Sequence, residues 1–126
     1  MIKAKFSTDA ESGSISLVMT GHAVRAGEGE GQALVCASAS MLSQTLAQLL
    51  LYLHAEEKMQ KEPHIVLRPG RCQITAKPKA EAWDETLYGF FVIEVGLDLL
   101  ARNHRDFVQV TLFDTAEKAF SKDSST

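Results

Sequence analysis

One apolar stripe in the middle of the chain constrains the fold most. It starts near Ala33 or Leu34 and continues to about Lys61, where Pro63 is expected to stop a helix. The three- and four-residue spacing of its apolar side chains is typical of an amphipathic helix. The predicted buried stripe consists of Val35, Ala39, Leu42, Leu46, Leu49, Leu50 and Leu53.

Alternating apolar and polar residues predict strands on both sides of this helix. Before it, residues 2–6 and 15–19 alternate, and the turn-forming residues between them predict a hairpin. After it, residues 64–67 and 71–76 flank Pro69–Gly70, a turn-forming dipeptide that predicts a second hairpin.

The segment 86–103 is ambiguous between helix and strand. Gly89, Gly96 and the run 91–93 lower its helix propensity, whereas its length favours a helix, which we predict. The predicted apolar stripe of this helix is Tyr88, Phe91, Val92, Val95 and Leu99. The predicted polar face is Glu94, Asp98 and Arg102.

A last strand is predicted over residues 107–113, which gives the element order ββαββαβ. Tight turns favour antiparallel neighbours. We therefore predict an α+β fold with a mostly antiparallel sheet of about five strands and two helices packed on one face. Residues 1–120 are expected to form a single domain and residues 121–126 a polar tail.

Composition narrows the classes of function. A net charge of −3 argues against direct, non-specific binding to nucleic acid. The N-terminus lacks a signal-peptide pattern, and the apolar run around Leu49–Leu51 is too short for a membrane span, so we expect a cytoplasmic protein without membrane contact. Cys36 and Cys72 are expected to be free thiols because the cytoplasm is reducing. They lack CxxC spacing, and no metal or other cofactor is predicted.

His22 and Cys36 are the candidate catalytic residues. His22 follows a glycine at the end of a predicted strand, and Cys36 falls in the first helical turn if the helix begins near Ala33. A helix N-terminus favours a thiolate, and a nearby imidazole can move the proton. The N–H groups of Cys36 and Ala37 are candidate donors to an oxyanion.

The surroundings of this pair leave alternatives open. Gly27, Gly29 and Gly31 give the intervening loop backbone freedom, and Ser40 shares a helical face with Cys36. Cys36 also fits the description of a buried structural thiol, because free cysteine is among the most buried residue types. His22 also fits that of a loop histidine bonded to backbone.

These residues together resemble a known family. The signature is Gly21–His22–Ala23, a glycine-rich loop, Val35–Cys36–Ala37 and then Ser40. It is similar to that of the ribosomal-processing cysteine proteases, the Prp family. The opening residues, the long helix and the C-terminal run 90–110 also fit that family, so the resemblance covers most of the chain.

The resemblance implies a function. Prp proteases remove an N-terminal extension from large-subunit ribosomal protein twenty-seven, cutting after an aromatic pair, and are typically homodimers with an α+β fold. His22 and Cys36 match the catalytic dyad. Gly21, Ala37 and Ser40 are expected to contact substrate in an apolar groove, since small side chains let a substrate backbone come close. The alternative for the small residues of the helix is that they allow tight packing of the helix on the sheet. The loop with Gly27, Gly29 and Gly31 is expected to move over the bound peptide.

One position departs from the family pattern. An acidic residue usually stands three positions before the cysteine, where this chain has Ala33. Loss of an N-cap there would cost about 1 kcal/mol. One hypothesis is that Glu28 or Glu30 folds back to replace the carboxylate. The alternative function is a non-catalytic module that binds a ribosomal protein or a ribosome precursor. An RNA-binding accessory protein has less support, given the net charge.

Overall fold

A computed structural model describes residues 1–22 and 30–114 of the chain. It has the predicted order ββαββαβ, and a short 3₁₀ turn, Ala80–Ala82, leads into the second helix. The elements are β1 (Ile2–Asp9), β2 (Ser14–Thr20), α1 (Glu30–Ala55), β3 (His64–Arg68), β4 (Arg71–Ala76), α2 (Trp83–Asn103) and β5 (Val108–Thr111).

The five strands form one mixed sheet in the order β3-β4-β2-β1-β5. The two hairpins are antiparallel, as predicted, and β2 also pairs antiparallel with β4. The pairing of β1 with β5 is parallel. Both helices lie on the same face of the sheet, which confirms the predicted α+β class.

Side-chain alternation in the strands sets the buried face. On β1, Ile2, Ala4 and Phe6 are buried, whereas Lys3 and Lys5 between them are exposed. On α1 the predicted stripe is confirmed, with its centre fully buried and its flanking leucines, Leu42 and Leu49, partly buried. The core is therefore one layer between the sheet and two helices.

The buried face of α2 differs from the prediction. Leu87, Phe90 and Leu97 are fully buried, whereas Tyr88 and Val92 of the predicted stripe are 57% and 53% exposed. The prediction of the buried stripe is wrong because residue 94, assigned to the polar face, faces the core. The apolar side chains left exposed on α2 are Tyr88, Val92, Val95 and Leu99.

Glu94 is the residue that decides this orientation. Its side chain is only 2% exposed, and its carboxylate accepts a hydrogen bond from the backbone N–H of Phe113. Burial of a carboxylate is costly unless hydrogen bonds compensate it. The contact thus anchors the chain that follows β5 to the middle of α2.

Two glycines of α2 allow α1 to approach closely. A β-carbon at Gly89 would lie 2.5 Å from Leu49 Cδ2, and one at Gly96 would lie 2.8 Å from Leu42 Cδ2. Gly96 comes after Gly89 in α2, whereas its neighbour Leu42 comes before Leu49 in α1. The two helices therefore run antiparallel. The glycines that weaken helix propensity thus serve helix packing.

The bounds of α1 differ from the prediction at both ends. The helix begins at Glu30 rather than near Ala33, so Gly31 lies in its first turn and not in a loop. Glycine costs little there because the first N–H groups have no intrahelical partner. The helix ends at Ala55, before Pro63, because Glu57 adopts a positive φ of 63° and the Lys58 N–H bonds the Leu53 carbonyl in a Schellman motif.

The hydropathy of α1 is higher than the short apolar run suggests. Over Gln32–Ala55 the helix is long and apolar enough, by length and composition alone, to cross a membrane. The expectation of a protein without membrane contact stays a prediction, because the core helix of a globular protein meets the same criteria. The buried apolar side chains of α1 pack against the sheet and against α2, whereas Leu34, Met41 and Tyr52 are exposed.

The last strand is shorter than predicted. β5 covers Val108–Thr111, within the predicted 107–113. The predicted polar tail, 121–126, lies outside the described residues.

Candidate active site

A cleft of about 460 Å³ opens at one end of the sheet, between α1 and the turn that joins β3 to β4. Its lining brings together four of the predicted site residues, namely Gly21, His22, Cys36 and Ser40. Ile2 and Met19, at the ends of β1 and β2, add apolar surface. The sequence therefore identified residues from two distant parts of one site.

His22 is positioned by the β3–β4 turn. The preceding residue, Gly21, has a φ of 92° and donates its N–H to the carbonyl of Gly70 at 2.9 Å. Gly70, with a φ of 75°, lies directly under the exposed imidazole: a β-carbon there would be 2.4 Å from His22 Nε2. Only glycine leaves room for the ring at this distance.

Cys36 lies further along α1 than predicted. Because the helix begins at Glu30, Cys36 is its seventh residue, in the second turn. The prediction that Cys36 and Ala37 offer free N–H groups to an oxyanion is wrong, since N–H groups at this depth bond to carbonyls four residues earlier. The helix dipole also acts mainly within the first turn. The thiol itself is partly exposed and borders the cleft.

The wall formed by α1 is polar beyond Cys36. Ser40, Ser43 and Gln44 follow at four, seven and eight residues, and the Gln44 amide donates to Ser40 Oγ at 2.8 Å. Ala37 points away from this row and does not line the cleft. Of the two α1 residues predicted to contact substrate, only Ser40 borders the cavity.

Cys72 also lines the cleft, although the sequence analysis did not predict it as a site residue. It lies on β4, is 6% exposed and borders the same cavity as Cys36. Burial raises the pKa of the Cys72 thiol to about 11, although a hydrogen bond with Ser43 acts in the opposite direction. Cys72 therefore stays protonated at neutral pH.

The wall opposite α1 was also missed. Leu67, Pro69 and the two arginines Arg68 and Arg71 line the cleft from the β3–β4 hairpin. The groove is not purely apolar, as had been expected, because Ser40, Ser43 and Gln44 line its other wall. The Pro69–Gly70 dipeptide predicted the turn, but no local signal placed it beside His22.

Several predictions about the loop before α1 are not tested by the described residues. Gly27, Gly29 and the side chains of Glu28 and Glu30 lie outside what the structure describes. Ala33 is exposed on the fourth position of α1, so an acidic residue there would not be the N-cap of this helix.

A comparison with protein-family models matches residues 1–109 to cysteine protease Prp. The chain belongs to the Prp family. A search among curated proteins finds no match.

Solved structures share the Prp fold. The ribosomal processing protease Prp from Staphylococcus aureus, in complex with a covalently linked product peptide, superposes with a TM-score of 0.65 at 20% identity, covering 89% of this chain and 99% of that one. SMU.848 from Streptococcus mutans gives a TM-score of 0.61 at 26% identity, covering 90% and 94%. At such identities the structural likeness speaks for the fold, and the family match identifies the chain as a Prp cysteine protease.

Proposed function

We propose that this protein is an endopeptidase in which Cys36 is the nucleophile and His22 the general base. The single observation that supports this pair best is that both residues border one cleft in a chain of the Prp family. Cys36 Sγ attacks the scissile carbonyl carbon, and His22 accepts the thiol proton. His22 then gives that proton to the leaving amine, and water hydrolyses the thioester.

The proposed substrate is the precursor of large-subunit ribosomal protein twenty-seven, from which an N-terminal extension is removed. Support comes from the structurally similar S. aureus protein, which is described as a ribosomal processing protease. The cleft also suits a peptide, because Ile2, Met19 and Leu67 offer apolar surface for aromatic side chains. Such a substrate implies work in the cytoplasm.

The decisive experiment compares three variants on a peptide that spans the host precursor's processing site. Cys36→Ala and His22→Ala are each expected to lower kcat/KM on the order of 10⁴-fold or more. Cys72→Ala is the matched control, since it removes the other thiol of the same cleft, and it is expected to cleave. Persistent cleavage by Cys36→Ala would contradict the proposal.

A non-catalytic binder is the second candidate, favoured by Ala33 in place of the family's acidic residue. If calorimetry shows that wild-type protein binds the precursor peptide and the peptide is never cleaved, the hypothesis of a non-catalytic binder is correct. If it cuts, Glu28→Gln and Glu30→Gln test whether either carboxylate supports His22. Unchanged turnover in both variants would exclude that role.

We also propose that the protein forms a homodimer, as the family resemblance implies. An exposed apolar stripe on α2, formed by Tyr88, Val92, Val95 and Leu99, offers a surface that a second copy would cover. Sedimentation velocity of wild type and Val92→Glu tests this surface. A wild-type dimer that becomes a monomer on substitution is expected, and a dimer that survives it would exclude the stripe.

A further inference from the structure

The face of the sheet that turns away from the helices is basic. Ile2, Ala4 and Phe6 point to the core, so Lys3 and Lys5 point to the opposite side. Strand pairing carries this alternation across the sheet, where Arg68 and Arg71 take the same face. All four cationic side chains belong to exposed residues. We call this surface the open sheet face.

The pairing register arranges this face in cross-strand rows. Neighbouring strands lie about 4.8 Å apart, so each row is a line of adjacent side chains. The first row is Arg68, Arg71, Thr20, Lys3 and Gln109. The second is Val66, Gln73, Val18, Lys5 and Thr111. The third is His64, Thr75, Ser16 and Ser7, in which the Ser16 and Thr75 hydroxyls are 2.9 Å apart.

Within residues 1–22 and 30–114, no ion pair involves Lys3, Lys5, Arg68 or Arg71. Asp9, at the far end of β1, uses its Oδ1 to accept from the backbone of the following turn. Arg68 and Arg71 stand directly opposite each other, an arrangement of like charges that destabilises a sheet unless an anion lies nearby.

We propose that the open sheet face binds RNA through its sugar–phosphate backbone. Phosphates are contacted by Arg and Lys together with Ser, Thr and Gln, the side chains that fill these rows. The hydroxyl and amide groups can also bond a ribose 2′-OH. The three rows hold no Phe, Tyr or Trp on which a base would stack, so we expect a contact that depends little on sequence.

Other occupants fit the face less well. A second copy related by a two-fold axis would place the same cations against each other. A membrane surface would be expected to meet large apolar side chains as well as cations, and the rows offer only Val18 and Val66. The net charge of −3, which led us to expect no nucleic-acid binding, hides this local concentration of positive charge.

The test measures binding of full-length protein to a fluorescent 20-nucleotide RNA by anisotropy, between 50 and 200 mM salt. With four phosphate contacts, log K against log[salt] is expected to have a slope of about −3. Lys3→Gln/Lys5→Gln is expected to halve that slope and to weaken binding several-fold, whereas Lys3→Arg/Lys5→Arg restores both. Peptide cleavage, followed in parallel, is expected to be unchanged, because neither lysine borders the cleft.

The matched control is Lys58→Gln/Arg102→Gln, which removes two positive charges from the helix side of the molecule, where they pair with Glu85 and Asp98. It is expected to leave the slope unchanged. No binding at 50 mM salt, or equal effects of the two double variants, would overturn the proposal. Equally tight binding of the corresponding DNA, or of a poly-glutamate peptide, would overturn the choice of RNA.

Discussion

The two walls of the cleft carry one cysteine each, and they differ in what decides thiol chemistry. Cys36, on α1, is partly exposed, whereas Cys72, on β4, is 6% exposed with its pKa raised to about 11 by burial. Two thiols in one cavity thus have unlike access to solvent and substrate. The difference shows that lining a cleft does not make a cysteine reactive, because the burial of the thiol also matters.

The largest expected difference between the walls is in thiol reactivity. A pKa of about 11 in place of 9.0 leaves about a hundredfold less thiolate on Cys72 at neutral pH. Iodoacetamide at pH 7.5 is therefore expected to label Cys72 slowly, and to label Cys36, which is partly exposed to the reagent, faster. Peptide mapping by mass spectrometry measures both rates. In urea the rates should converge, and equal rates in native protein would break the contrast.

Gly70→Ala tests the wall that carries the β3–β4 turn. Its methyl group would press on His22 Nε2, so kcat/KM for the precursor peptide is expected to fall on the order of tenfold. The positive φ of 75° adds about 1 kcal/mol of destabilisation.

Gly13→Ala is the control for that strain. It has a φ of 64°, but its β-carbon would meet nothing closer than 3.8 Å. It should lose similar stability in urea and keep full activity. If both variants lose activity alike, the turn does not position the imidazole.

The pH dependence of the unfolding free energy tests the burial of the Cys72 thiol. The folded pKa of Cys72 is raised, so its protonated form stabilises the native state below pH 9.0, and this contribution is lost as the pH rises towards about 11. We expect a loss of up to about 2 kcal/mol across that window. Cys72→Ala should show a flatter profile than wild type in urea titrations. Identical profiles for the two proteins would contradict the burial effect.

Ser43→Ala should have the smallest effect. It removes the hydrogen bond that lowers the pKa of Cys72, so that pKa should rise further. The expected cost in unfolding free energy is about 1 kcal/mol. Ser40→Ala is the control on the same helix face, and it should leave the absorbance titration of Cys72 thiolate unchanged.

Local signals explain which parts of the fold the sequence predicted. Both hairpins follow from alternation over a few residues, and the stripe of α1 follows from regular leucines. The buried face of α2 was misassigned because the partner of Glu94 is a backbone group 19 residues away, at Phe113. Leu87, Phe90 and Leu97 also keep helical spacing, so periodicity alone is compatible with two stripes on this helix.

The candidate site was likewise predicted only where the sequence holds a local signal. Glycine–histidine and cysteine–alanine motifs identified His22 and Cys36, one on each side of the glycine-rich loop. The depth of Cys36 in α1 was missed because glycines at residues 29 and 31 obscure where a helix begins. The contact of Gly70 with His22 joins segments about fifty residues apart, and only the fold reveals it.

The parallel pairing of the first and last strands determines when the enzyme can assemble. Ile2 borders the cleft, and its N–H bonds the Phe107 carbonyl at 2.7 Å beside β5. During synthesis the N-terminal strand must therefore wait for Val108–Thr111 to emerge before its outer edge is paired. A nascent chain whose β5 is still inside the ribosome thus lacks a finished cavity, which delays proteolysis.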